Sequence, residues 1–359
     1  MLALAAGEAL AQLRYIGQQI VPTGHRFQGT EVGGLSGLDF DADTGIFYAI
    51  SDDRSRDARF YALTLDLDRF HRALAPGMAG VRFTAVHRLL DAGGIAFEGR
   101  SVDPEAIRLH PRTKTLLWSS EGDPRRGIAP FLRETNADGT PVRVFVLPPQ
   151  FLGAGGAAHG VRDNLAFESV AVTPSGARVL TAVENALKQD GPRASRREAS
   201  DCRVVVFDHA SGRALGQYVY RVDPVVAPSI LPNGLETNGL AELIALDEDS
   251  FIAVERSFSA GSRLSIRLYL TRTAGASDLS GLDTLAGATY AAMPKDPLLD
   301  LSGLANDDGS PLWLDNIEAI SLGPILPNGN RTLVLVSDNN FRASQQTQFL
   351  AFEVVGPLR

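Results

Sequence analysis

The sequence predicts an all-β fold, a β-propeller of five four-stranded blades. Three observations carry that expectation: a hairpin bracketed by acids recurs along the chain, each recurrence leaves room for two more strands, and a spare N-terminal strand matches one missing at the C-terminus. The 35 glycines and 20 prolines punctuate Val-, Ile- and Phe-rich runs, as many short strands joined by turns require.

The second copy shows the hairpin most clearly. Asp103-Pro104-Glu105-Ala106-Ile107-Arg108-Leu109 passes a turn at His110-Pro111-Arg112 and continues as Thr115-Leu116-Leu117-Trp118-Ser119-Ser120-Glu121. Glu105 and Glu121 are sixteen residues apart, and Glu168 and Glu184 repeat that spacing. Glu242 and Glu255 follow at thirteen, and Glu318 and Asp338 at twenty. An early copy has Ser36 in the first acidic slot and Asp52 in the second. A repeat of this length is the signature of stacked or radially arranged units.

Each unit extends to further strands. In unit one, 37–41 and 46–51 flank the hairpin turn Asp43-Thr44-Gly45, and 59–65 and 80–89 follow. Unit two adds 130–135 and 142–147, and unit three adds 203–208 and 216–221. Unit four adds 264–270, with a weakly patterned fourth strand placed near 289–291. Unit five adds 348–355, and there the chain ends one strand short. Residues 13–22 supply it, so the N-terminal strand closes the ring and removes two open edges. A sixth blade around 270 to 300 is the alternative. The loops 152–159, 187–200 and 277–308 are expected to lie over one end.

At 359 residues with a formal net charge of −8, the chain lacks the basic excess that nucleic-acid binding needs. No segment reaches the ~20 apolar residues of a membrane span. The single Cys202 excludes an intrachain disulfide and reads as a small core residue. Residues 1–11 read as the remnant of an export signal, with Ala9-Leu10-Ala11 as the small-x-small cleavage pattern, or as a frayed end. Residues 12–359 form the propeller domain, and the expected location is periplasmic or secreted.

The start of a hairpin's first strand and the end of its second share one end. The repeat therefore predicts a ring of carboxylates around one mouth of the channel: Glu105, Glu168, Glu242 and Glu318, with Asp52, Glu121, Glu184, Glu255 and Asp338 beside them. So many like charges need cations, protons or basic side chains, and Arg54, Arg100 and Arg256 are the adjacent bases. Carboxylates in number favour a hard cation, Ca²⁺ before Mg²⁺, with Asn164, Asn185, Asn238, Asn316 and Asn339 as neutral oxygen donors. The competing reading is structural, with each repeat fixing a polar residue at its strand end. Glu168 and Glu318 are the candidate catalytic carboxyls, and His159 is the candidate base. Ser36 does not sit in a nucleophile elbow, because glycine follows it directly.

Several phrases together resemble the phytase-like family described by an esterase-like activity. They are Gly34-Leu35-Ser36-Gly37-Leu38, Ala49-Ile50-Ser51-Asp52-Asp53, Asp103-Pro104-Glu105-Ala106-Ile107, Asn164-Leu165-Ala166-Phe167-Glu168, Asn316-Ile317-Glu318-Ala319 and Val336-Ser337-Asp338-Asn339-Asn340-Phe341. The resemblance spans residues 15 to 355 and implies an exported propeller that hydrolyses a small ester or phosphoester. Calcium-dependent propeller phytases, similar in name, imply Ca²⁺ and a Lys- and Arg-rich phosphate site whose motifs are absent here. The alternative is a non-catalytic propeller that binds a small ligand or a protein partner.

Overall fold

The computed structural model describes residues 11–358 apart from 56, 154 and 263. The export-signal reading concerns residues that lie, save Ala11, outside the described ones. Five four-stranded antiparallel sheets make up the ring. The first is β4 (Leu35–Asp41), β5 (Ile46–Ser51), β6 (Arg59–Leu65) and β7 (Val81–Arg88). A two-residue ribbon, β2 (Arg26–Phe27) with β3 (Thr30–Glu31), precedes it. The second holds β8 (Pro104–Leu109), β9 (Leu116–Ser120), β10 (Phe131–Thr135) and β11 (Pro141–Val144). The third holds β12 (Phe167–Val172), β13 (Arg178–Val183), β14 (Ser200–Asp208) and β15 (Arg213–Val222). The fourth holds β16 (Glu236–Ala245), β17 (Ser250–Ser259), β18 (Ser265–Arg272) and β19 (Lys295–Asp300). The fifth joins β20 (Asn316–Ile325), β21 (Arg331–Asp338) and β22 (Thr347–Val355) to the N-terminal β1 (Gln12–Val21).

The spare strand closes the ring as expected. β1 pairs antiparallel with β22 from Gln12–Val355 to Val21–Thr347. Gln348 locks the seam by donating from Nε2 to Gln18 Oε1 at 2.5 Å and to the Trp313 carbonyl at 2.9 Å.

Blade packing explains which strands the sequence shows clearly. β4, β8, β12, β16 and β20 touch in succession around the channel. A neighbouring blade covers each face of such a strand, so β8 is buried at every position. Hydrophobic clusters fill the wedges between blades: Ile50, Phe60, Ile107 and Trp118 lie between the first and second. Each such aromatic or aliphatic side chain contributes about 1.5–3 kcal/mol on burial. Outer strands are half-exposed and weakly patterned, as in β11.

That weakness misplaced one strand. Residues 289–291 are not the fourth strand of blade four; β19 at Lys295–Asp300 pairs with β18 instead. It tolerates Pro297 because it is an edge strand. The segment before it lies along β15, where Leu279 and Leu285 pack on Val219 and Met293 N bonds to the Val219 carbonyl at 2.8 Å. A sixth blade does not form, since 270–300 supplies a loop and a single strand.

Candidate functional site

A β-bulge aims most of the inner acids. In blade three, Phe167 pairs with Val183 and Ser169 with Ala182, so Glu168 is the extra residue. Glu318 is the extra residue in blade five, between Ile317–Ser337 and Ala319–Val336. Ser36 fills that slot in blade one. In blade two the register also shifts between Pro104 and Ile107, across Glu105. A bulge bends the strand and re-aims a side chain, here into the channel mouth. The second acids, Asp52, Glu121, Glu184 and Asp338, each stand one residue beyond the pairing partner at the bulge: Ser51, Ser120, Val183 and Ser337.

Blade four departs from the expected ring by one residue. Leu240 pairs with Glu255 and Glu242 with Val254, so Ala241 is its bulge residue and Arg256 takes the second slot. Because side chains alternate along a strand, one step sends Glu242 and Glu255 elsewhere. Glu255 turns outward, accepts from Tyr220 Oη at 2.9 Å and pairs with Lys295 at 2.6 Å. Glu242 lies deeper in the channel, 2.8 Å from Arg108 Nη2, and accepts from Val170 N at 3.2 Å. β8 and β16 belong to non-adjacent blades, so this pair bridges the channel beneath the mouth.

At the mouth, single ligand oxygens of Asp103, Glu105 and Glu121 lie within 4.8 Å of one another, and all three residues are buried. Asp103 is 3% exposed, yet its Oδ1 has no hydrogen-bond partner. Its Oδ2 is 2.6 Å from Arg54, which also donates to Asn164 Oδ1 at 2.7 Å. Glu121 accepts from Ala166 N at 2.5 Å. Across the mouth, Arg256 Nη2 lies 3.4 Å from Glu184 Oε1 and 3.3 Å from Glu318 Oε1. Asn316 Nδ2 donates to Glu318 at 2.9 Å and to Asp338 at 3.3 Å.

Two glycines leave space for these acids. A Cβ on Gly34, held at φ 62°, would stand 1.9 Å from Asp52 Oδ1. One on Gly239 would stand 2.1 Å from Glu184 Oε1.

Burial makes the ionised forms costly. It pushes the Asp103 carboxyl up to about 6, against the pull of Arg54. Burial and the field of Asp103 push Glu121 up to about 8, and burial against Arg256 pushes Glu184 to about 7. Asp338 rises to about 8 through burial and Glu318. Glu105 and Glu168 are driven well above the carboxylate range by burial, with Glu168 chief among the neighbours of the former and Glu121 of the latter. Without an added cation, this mouth keeps protons on several carboxyls at neutral pH.

The remaining sequence candidates fall outside this cluster. His159 borders a cavity of ≈ 310 Å³ beside Ile128, Phe151 and Lys188, with its Nε2 3.7 Å from Asp283. Ser36 Oγ bonds to the Pro104 carbonyl at 3.4 Å. Arg100 gives its carbonyl to Arg126 rather than its charge to the ring. Of the amides, Asn164 and Asn316 touch the ring's charged groups, Asn185 donates to the Asn238 carbonyl, Asn238 donates to the Asp223 carbonyl and Glu255 Oε2, and Asn339 Oδ1 accepts from Gly34 N. Asp103 joins this cluster although the sequence repeat leaves it out of the ring; it stands two residues before Glu105 in the repeated phrase.

Residues 30–341 match the family model described as phytase-like, esterase-like activity of phytase. The chain belongs to the phytase-like family. No curated protein matches the sequence. Among solved structures, an endo-arabinase from Bacteroides thetaiotaomicron aligns over 94% of this chain and 97% of that one, at 10% identity and a TM-score of 0.46. The catalytic domain of an α-L-arabinofuranosidase from Coprinopsis cinerea aligns over 95% and 97%, at 8% identity and a TM-score of 0.46. For the phytase-like fold in hand, no described helix is long and apolar enough to cross a membrane.

Proposed function

We propose that this phytase-like propeller hydrolyses a small ester or phosphoester at its acidic mouth, with a divalent cation, Ca²⁺ first, held by Asp103, Glu105 and Glu121. The observation that carries the reading is the buried Asp103 Oδ1, unpartnered beside two carboxylates whose oxygens converge within 4.8 Å. An uncompensated buried oxygen is costly, and a hard cation is the partner that carboxylate oxygens accept best. When bound, such a cation polarises an ester or phosphoryl oxygen and lowers the pKa of water.

The chain's own groups supply the rest. Arg54 and Ala166 N fix the orientation of Asp103 and Glu121. Glu168 lies next to Glu121 and, with its carboxyl raised by burial, keeps a proton that it can give to a leaving oxygen. Glu318, steadied by Asn316 and Arg256, is placed to orient the incoming water. Arg108 and Glu242 span the channel beneath the mouth as an ion pair.

The test is calcium titration with activity on short p-nitrophenyl acyl and phosphate esters. Asp103→Asn is expected to weaken calcium binding at least tenfold and to lower turnover with it. Turnover that persists in a chelator, with unchanged calcium affinity in the variant, would sink the metal-assisted reading, and absence of turnover on every ester with calcium present would leave a non-catalytic binding propeller standing. Export belongs with the proposal, supported by the Ala9-Leu10-Ala11 pattern. Fractionation that finds the full chain only in the cytoplasm would overturn it.

A further inference from the structure

The mouth divides into two unlike arcs. In four blades the second slot is an acid, and in blade four it is Arg256. The guanidinium stands between Glu184 and Glu318 at 3.4 and 3.3 Å, and the charges of Glu168 and Asp338 also act on it. Both contacts are long for an arginine–carboxylate pair, and the buried Nε has no partner. The cation therefore sits centrally among these acids rather than forked onto one of them. Ala241, in the bulge slot, withholds a carboxylate beside it. The opposite arc contains Asp103, Glu105 and Glu121, and there the nearby base is Arg54, which is 43% exposed and engages Asp103.

We propose that Arg256 is a built-in cation standing where a second divalent ion would otherwise bind, so that the mouth is a clamp of one exchangeable metal and one fixed guanidinium. The inference rests on the reading that Asp103, Glu105 and Glu121 hold the exchangeable metal. Two cations facing one another across a site stabilise charge on both sides of a reacting ester or phosphoryl group. Arginine does so without dissociating, and its planar donors suit carboxylate or phosphoryl oxygens. The substrate class implied is one that presents an anionic or charge-developing oxygen to each side. The one-residue slip that put arginine in the second slot also put Ala241 in the first, so blade four offers neither acid to a second ion.

Calcium stoichiometry of the full chain tests this, read by isothermal titration and native mass spectrometry. Wild type is expected to bind one equivalent at the mouth, Arg256→Gln two, and Arg256→Lys one. Adding Glu184→Gln and Glu318→Gln to Arg256→Gln should restore one. One equivalent in both wild type and Arg256→Gln overturns this inference alone, because it leaves the first metal site intact. Two in wild type overturn it as well. None in wild type overturns the first site and this inference together. Folding is followed by thermal melting with and without calcium. Arg256→Gln should melt lower than wild type in chelator and recover in millimolar calcium. A variant that stays unfolded in millimolar calcium overturns the proposal, since the ion then fails to replace the guanidinium.

Discussion

Replacing Glu242 by glutamine should change how stability depends on pH more than it changes stability itself. Glu242 is fully buried, and its Oε2 meets Arg108 at 2.8 Å without a well-aligned hydrogen bond. Burial pushes its carboxyl from 4.5 up to about 8, against the opposing pull of Arg108. Burial outweighs the ion pair, because two desolvated charges with poor alignment do not recover their hydration. The folded chain then keeps a proton over an interval in which the unfolded chain releases it. This contribution is full below 4.5 and is lost as pH rises towards 8. Each pH unit is worth about 1.4 kcal/mol, so about 3 kcal/mol separates pH 5 from pH 7.5. Glutamine keeps an oxygen for Val170 N and Leu243 N and does not titrate. Urea unfolding of both proteins in chelator gives the difference at each pH, in which the shared acids cancel. That difference should move in favour of Glu242→Gln by about 3 kcal/mol on going from pH 5 to pH 7.5. A constant difference, or one moving the other way, would mean that Arg108 holds Glu242 ionised in the folded chain, and the weighting would be wrong.

Two further outcomes follow from packing. Arg203 and Asp190 are fully buried and paired at 2.6 and 3.0 Å, so Asp190→Ala strands a guanidinium and should cost about 3–5 kcal/mol in chemical denaturation. A loss below about 1 kcal/mol would show that water reaches the site and that the pair is not desolvated. Gly34→Ala should lower the melting temperature by roughly 2 °C or more, because the left-handed φ of 62° and the Asp52 oxygen at 1.9 Å both oppose a Cβ. An unchanged melting curve would place Asp52 away from Gly34.

The order of blades, the hairpins and the closing strand were readable in the chain, because a strand covered on both faces leaves a continuous apolar run such as Leu333–Val336. The fourth strand of blade four was not readable. Lys295–Asp300 is half-exposed, contains Pro297 and carries no alternation for a pattern to reveal. The ring itself was partly legible. Glu105, Glu168 and Glu318 were picked out by the recurring phrase, but the same phrase picked out Glu242 and Glu255 where the slots belong to Ala241 and Arg256.

What the sequence by itself determined is the repeated hairpin, the way the ring closes and the presence of acids at one end of each hairpin. These follow from local periodicity and from turns, which neighbouring residues specify. What only the tertiary structure decided is which member of Ala241–Glu242 and of Glu255–Arg256 faces the mouth. Both residues of each pair are available in the chain, and the choice depends on strand register and on where the bulge falls. Register is fixed by pairing across the blade and by the wedge of side chains between blades. A slip of one residue there put Ala241 and Arg256 where a fourth pair of acids was expected.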